Sequence, residues 1–208
     1  SVFEMIPVRD VVSWNALITG YTHNGLGHVA LECFREMQNE GVCPNVVTYV
    51  CILKACGIVG SLGTGEVIDA EVREQGLLNN DVVLGNALVD MYAKCHEPGK
   101  AQEVLDELNL HTVVSWSALI EGYTLEGQGH EALKSFERMQ TEGLFPDAVI
   151  FTCILKACGS TGAIAKGMQI HSEIVSTGSL EKDSEIGCAL VDMYARCGVL
   201  EKAQEVLS

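Results

Sequence analysis

The chain is written twice. Val11-Val12-Ser13-Trp14-Asn15-Ala16-Leu17-Ile18 returns as Val113-Val114-Ser115-Trp116-Ser117-Ala118-Leu119-Ile120. Cys51 to Gly57 returns unchanged at Cys153 to Gly159, Ala87 to Ala93 is matched by Ala189 to Ala195, and Ala101 to Leu105 returns at Ala203 to Leu207. The offset is 102 each time, without a gap, and about half of the compared positions are identical. A fixed internal period points to a repeat architecture before any other evidence is weighed.

Each copy divides again. Segments 11–45, 46–81 and 82–112 share an apolar start, a glycine break and a second apolar stripe, with lengths of 35, 36 and 31 residues. The second copy gives 113–147, 148–183 and the truncated 184–208. Residues 1–10 resemble the tail of a preceding 31-residue segment, Val2-Phe3-Glu4-Met5 matching Val104 to Leu108 in type.

Every segment reads as a helix pair. In 11–45, Val12, Ala16, Leu17 and Tyr21 are spaced for one helical face, Gly25 and Gly27 interrupt it, and Ala30, Leu31, Phe34 and Met37 form a second stripe ended by Gly41 and Pro44. Asp10, Asn45, Asp81, Asp147 and Asp183 stand just before a helix, where an Asx side chain caps free N–H groups. Turns are expected near Gly25, Gly57, Gly127 and Gly159. A pair this small cannot bury its own apolar face, whereas stacked pairs can. The expected fold is therefore all-α, a right-handed α-α superhelix of helix-turn-helix repeats.

Composition narrows function by exclusion. Acids outnumber bases 28 to 13, a formal charge of −15, so the chain is no generic polycation for nucleic acid or anionic membrane. Aromatics make up only 6%, which argues against a β-sandwich or barrel. Nine cysteines form no C-x-x-C and no disulfide framework, and are expected to be reduced and mostly buried. No apolar run approaches the roughly 20 residues of a membrane span. The leader Ser1 to Met5 has no start methionine, signal or basic transit segment, and the chain reads as a piece of something longer.

Periods near 35 residues suit tetratricopeptide and pentatricopeptide repeats. Residues 11–21 (Val-Val-Ser-Trp-Asn-Ala-Leu-Ile-Thr-Gly-Tyr), Ala-Leu-x-x-Phe-x-x-Met at 30–37 and Gly-Val-x-Pro-Asn at 41–45 closely resemble a pentatricopeptide repeat (PPR). The alternation of lengths resembles the P-L-S triplet of the plant PLS subclass: P-type 11–45 and 113–147, L-type 46–81 and 148–183, S-type 82–112 and 184–208. Ile52 to Gly57 is similar to the L signature, and Ala87 to Cys95 to the S signature. The resemblance implies single-stranded RNA binding at one repeat per nucleotide, as the site-recognition part of a C-to-U RNA editing factor in a mitochondrion or chloroplast. It implies no cofactor, no enzymatic activity of this tract and no membrane partner, and admits small organellar editing cofactor proteins as partners. The alternative is a protein–protein interaction scaffold with an acidic surface.

The resemblance also assigns residues. In the family the fifth and last residues of a repeat read the base. The fifth residues are Asn15, Val50, Asn86, Ser117, Thr152 and Cys188, and the last are Asn45, Asp81, Thr112, Asp147 and Asp183, with Asp10 closing the leader. Asn15 with Asn45 implies a pyrimidine, Ser117 with Asp147 implies G, Asn86 with Thr112 implies a less selective pyrimidine, and Thr152 with Asp183 suggests G in a segment type that discriminates poorly. Val50 cannot hydrogen-bond and reads no base. The plain alternative for the last residues is helix capping alone. Residue two sandwiches the base: Val12, Val47, Val83, Val114 and Val149, with Glu185 departing. The alternative is a core valine. Residue thirteen touches phosphate in the family, and only Lys94 and Arg196 are basic there; a solvated helix charge is the plain alternative. The electrostatic contribution is thin, so weak RNA binding is expected of this tract alone.

Two other patterns carry less. His171-Ser172-Glu173 matches the H-x-E of zinc deaminases, but that chemistry needs a C-x-x-C that is absent. Cys51 and Cys56, like Cys153 and Cys158, stand more than one turn apart and are expected in the core. Trp14 and Trp116, at position four, are expected to be buried between helices rather than stacked on bases.

Overall fold

The computed structural model describes residues 9–177 and 184–207. Among these residues it is all-helical, with twelve helices and no strand. Asp183 and the leader match at Val2 to Met5 lie outside the described residues.

Helices start where the sequence supplies a cap. Asp10 precedes α1 (Val11–His23), Asn45 precedes α3 (Val46–Val59), and Asp81 precedes α5 (Val82–Lys94); each accepts a hydrogen bond from the backbone N–H three residues on. Thr112 before α7 (Val113–Leu125) and Asp147 before α9 (Ala148–Thr161) do the same. One of the first turn's orphan donors is satisfied this way at each helix, typically stabilising it by about 1 kcal/mol. Each first helix is followed by a partner: α2 (Gly27–Asn39), α4 (Leu62–Glu74), α6 (Pro98–Glu107), α8 (Gly129–Thr141) and α10 (Ile164–Thr177). The last pair is α11 (Ser184–Arg196) and α12 (Leu200–Leu207).

The turns differ in one respect from expectation. Gly25 and Gly127 do adopt left-handed backbone, φ 73° and 67°, but Gly57 and Gly159 lie inside α3 and α9. The left-handed C-cap residues there are Gly60 and Gly162, φ 68° and 69°. Helix propagation runs through the earlier glycine because Cys51 to Cys56 is buried almost throughout, and tertiary packing outweighs a glycine's modest helix penalty.

Contacts group the helices into two units, 1–111 and 112–208. In the first, α1, α3 and α5 pack in succession; α2 fills the groove of α1 and α3, α4 that of α3 and α5, and α6 rests on α5. In the second unit α7 to α12 repeat the same scheme. Trp14, Ile18, Met37, Ile52, Leu53, Ile68, Leu84 and Leu88 are fully buried in the first unit. Trp116, Phe136, Met139, Ile154, Leu155 and Ile170 are buried likewise in the second. Each such side chain contributes about 1.5–3 kcal/mol relative to exposure. The expected stripe of α1 is displaced: Val12 and Ala16 are exposed, Leu17 and Tyr21 half-buried, and the buried face is Trp14, Asn15, Ile18 and Thr22. The α2 stripe of Ala30, Leu31, Phe34 and Met37 is buried as expected.

Candidate nucleic-acid interface

The valines at position two are not core. Val12, Val47, Val83, Val114 and Val149 are 47–69% exposed, each on the first turn of a first helix. β-Branched apolar side chains in that setting offer stiff, flat contact area to a partner. Position five follows three residues on, so it lies on the same helical face.

In the first unit this face has a defined polar arrangement. Asn15 Nδ2 donates to Asn45 Oδ1 at 3.0 Å, joining the fifth and last residues of segment 11–45. Thr48 Oγ1 donates to Asn15 Oδ1 at 2.6 Å, and Thr48 N donates to Asn45 Oδ1 at 3.1 Å. Asn15 is buried and its amide is thus held from both ends, whereas Asn45 is exposed and its own NH₂ has no partner among the described residues. That NH₂ is a pair of donors on an exposed residue two places before the exposed Val47, suited in chemistry to ring acceptors on a base edge.

The second unit differs at the equivalent point. Ser117 is half-buried with no hydrogen-bond partner among the described residues, and buried Ile150 stands where Thr48 stood. Asp147 is exposed and accepts from Ile150 N at 2.9 Å. The Ser117 hydroxyl is shorter than the Asn15 amide at the equivalent position. Elsewhere, Asp81 caps α5 through Leu84 N, Val50 and Asn86 are half-buried, and Thr112 is tied into a reciprocal cap with Ser115. Thr152 Oγ1 donates to Ala148 O at 2.9 Å, so its proton is already used within α9. Its partner Asp183 lies outside the described residues. Glu185 and Cys188 are exposed and line, with Thr152 and Lys156, a cleft of about 600 Å³ between α9 and α11.

Charge on this face is mostly cancelled. Lys94 Nζ meets Asp90 Oδ2 at 2.9 Å, and Arg196 Nε meets Asp192 Oδ2 at 2.8 Å. Two exposed lysines that the sequence reading passed over, Lys54 and Lys156, lie on α3 and α9. Their signal was present, since each stands seven residues after a position-two valine. Asp10 is held below the usual carboxylate range by the Ser13 N–H and hydroxyl.

The remaining residues are structural. Trp14 and Trp116 are fully buried, and Trp116 Nε1 donates to Glu142 at 3.0 Å. Six of the nine cysteines are buried; Cys43 and Cys188 are exposed. Burial pushes the Cys56 thiol up to about 12 and those of Cys153 and Cys158 to about 11, which suppresses the thiolate that reaction or metal binding needs. His171 Nδ1 hydrogen-bonds Tyr194 Oη at 2.8 Å, and Gln140 Nε2 lies 3.4 Å from Glu173. Among the described residues no group of three or more His, Cys, Asp or Glu could hold a metal, and no helix is long and apolar enough to cross a membrane.

Comparison with known proteins agrees with the helical repeat. A family model described as "PPR repeat family" matches residues 9–57 and 111–160, and one described as "PPR repeat" matches 86–110. Pentatricopeptide repeat-containing protein At4g38010 of Arabidopsis thaliana is 42% identical over the whole chain, which covers 36% of that protein. Putative pentatricopeptide repeat-containing protein At3g11460, mitochondrial, from the same plant, is 35% identical over 99% of the chain and 33% of its own length. The chain thus spans about a third of these relatives. The crystal structure of the pentatricopeptide repeat protein PPR10 in complex with an 18-nt psaJ RNA element superposes with a TM-score of 0.81, at 23% identity, over 96% of this chain and 30% of that one. At that identity the likeness is one of fold.

Proposed function

Since this chain belongs to the pentatricopeptide repeat family, we propose that it is a sequence-specific single-stranded RNA-binding tract. The observation that carries this reading is the Asn15–Asn45 hydrogen bond beside the exposed valines Val12 and Val47. A base inserted between two such valines would meet the free NH₂ of Asn45 with its hydrogen-bonding edge. Stacking plus edge contacts is how modular readers take one base per helical repeat. PPR10, whose fold this chain shares, is a protein solved with RNA bound.

The finer assignments extend the same reading. The segments 11–45, 46–81, 82–112, 113–147, 148–183 and 184–208 act as P, L, S, P, L and S repeats. With RNA running 5′ to 3′ along the chain, the order is pyrimidine, any base, a less selective pyrimidine, G, any base. The tract would recognise the site of a C-to-U editing factor and meet small editing cofactor proteins. A mitochondrial or chloroplast setting is supported for the first organelle by relatives whose names include it.

The test is a specificity swap. Ser117→Asn should move the preference at the fourth position from G toward U, by about 1–3 kcal/mol if it resembles other paired base contacts. The measurement is equilibrium binding of RNAs differing only at that base, with the chain in its natural repeat array. An equal loss for G and U would make Ser117 structural. Indifference to RNA with retention of a protein partner on the chain's own acidic surface would favour the scaffold alternative.

A further inference from the structure

The two L-type segments are odd members of a base-reading array. Val50 has no polar group, and the Thr152 hydroxyl donates to its own helix at Ala148 O. Neither fifth residue has a donor to spare. Yet each segment keeps an exposed position-two valine, Val47 or Val149, and adds a lysine seven residues later, Lys54 or Lys156. Positions two, five and nine are i, i+3 and i+7, so valine, fifth residue and lysine lie along one stripe of α3 and again of α9.

The charges at position nine separate the segment types. In the S-type segments the residue is Asp90 or Asp192, and each is bonded to the basic residue four places on, Lys94 or Arg196. Those two cations are neutralised within their own helix. The aliphatic stem of Lys94 also lies against Gly57, where a Cβ would stand 3.2 Å from Lys94 Cδ. Arg196 lies the same way on Gly159, at 3.0 Å. Among the described residues Lys54 and Lys156 have no ion-pair partner, while Arg9, Arg73, Lys100, Lys134, Lys166 and Lys202 are all paired to acids. In a chain of net charge −15 these are the uncompensated positive charges of the first-helix faces. Lys156 lines the cleft between α9 and α11 together with Thr152.

We infer that Lys54 and Lys156 are the phosphate contacts of this tract, and that its L-type segments hold the RNA backbone instead of reading a base. The inference rests on the RNA-binding reading above and displaces Lys94 and Arg196 from the phosphate role. An ammonium on a flexible stem suits a phosphate oxygen whose position varies with the base carried. A segment that grips phosphate without choosing a base would fix register for the readers on either side.

The experiment measures binding of a single-stranded RNA carrying the pyrimidine and G positions, across a series of salt concentrations. The proteins are the chain, Lys54→Gln/Lys156→Gln, Lys94→Gln/Arg196→Gln, and Lys54→Arg/Lys156→Arg. Each phosphate contact on a single strand contributes about 0.7 to the slope of log K against log salt. The Lys54/Lys156 glutamine pair should therefore flatten the slope by about 1.4 with the G preference unchanged. The arginine pair should restore it, and the Lys94/Arg196 pair should leave it near the native value. An unchanged slope in the Lys54/Lys156 glutamine protein, or an equal change in the Lys94/Arg196 protein, overturns this inference while the base-reading proposal stands. Absence of RNA binding by the unaltered chain overturns both.

Discussion

Asn15 and Ser117 occupy the same place in the two copies, and their surroundings make them different residues. Asn15 is buried, held by Thr48 and joined to Asn45, whereas Ser117 has no hydrogen-bond partner among the described residues and Ile150 takes the place of Thr48. Removing a buried hydrogen-bonding partner costs more than the net worth of the bond, because the group left behind is desolvated. Asn15→Ala leaves the fully buried Thr48 hydroxyl without its best acceptor and should cost about 1–2 kcal/mol. Ser117→Ala should stay within about 0.5 kcal/mol. Urea denaturation of the two variants decides this; equal costs would show that Asn15 is not the keystone of its network. The fifth residue was legible from the sequence as a position, by resemblance. The lock on it was not, because Thr48 belongs to the next segment and only the fold brings it within reach.

At the scale of elements, the caps were the most readable feature. Asp10, Asn45, Asp81 and Asp147 announce helices by a local rule that needs no tertiary context. The buried face of α1 was misjudged because that helix is apolar nearly all round. One side packs Trp14 and Ile18 into the core, and the other exposes Val12. A 3.6-residue stripe marks one face only when the opposite face is polar, and the exposed Val12 on the opposite face of α1 removes that contrast. The second helix α2, with a charged outer face, gave its stripe correctly. Glycine placement shows the same limit: Gly57 and Gly60 look alike in sequence, and only Gly60 has a left-handed φ. Gly60→Ala should therefore destabilise the first unit by about 1–2 kcal/mol, since a Cβ is disfavoured in that region. Gly57→Ala meets the Lys94 stem at 3.2 Å and Met91 Cα only at an ordinary 3.8 Å, and it gains helix propensity, so it should lie within about 0.5 kcal/mol of the parent. Thermal melts of the two variants test the assignment, and an inverted order would place the turn at Gly57.

At the scale of the molecule, the duplication was visible at once, and the consequences of divergence between the copies were not. Asp69 and its counterpart His171 show why. In the first unit Tyr92 Oη donates to Asp69 Oδ2 at 2.8 Å, and Arg73 Nε reaches Asp69 Oδ1 at 2.7 Å. In the second, His171 Nδ1 bonds Tyr194 Oη at 2.8 Å, and Val175 replaces the arginine. One tyrosine anchor is thus kept with a different partner, a pairing seen only when α10 is laid against α11. The change places a histidine at this point of the second unit. Burial and, secondarily, the Lys202 charge hold His171 below its ordinary 6.5, with Glu205 opposing. Between the lowered folded value and 6.5 the unfolded chain binds more protons than the folded one, so stability rises with pH. The contribution of neutral His171 is complete above 6.5 and is lost progressively as pH falls through that value toward the folded one. His171→Asn keeps a neutral group that can reach Tyr194 and cannot titrate. Melting temperatures of the chain and of His171→Asn, followed from pH 8 to pH 5, should converge on one another at the acid end if the asparagine starts lower. The slope against pH should be smaller in the variant. Parallel curves across that range would mean that His171 does not couple protonation to the stability of its unit.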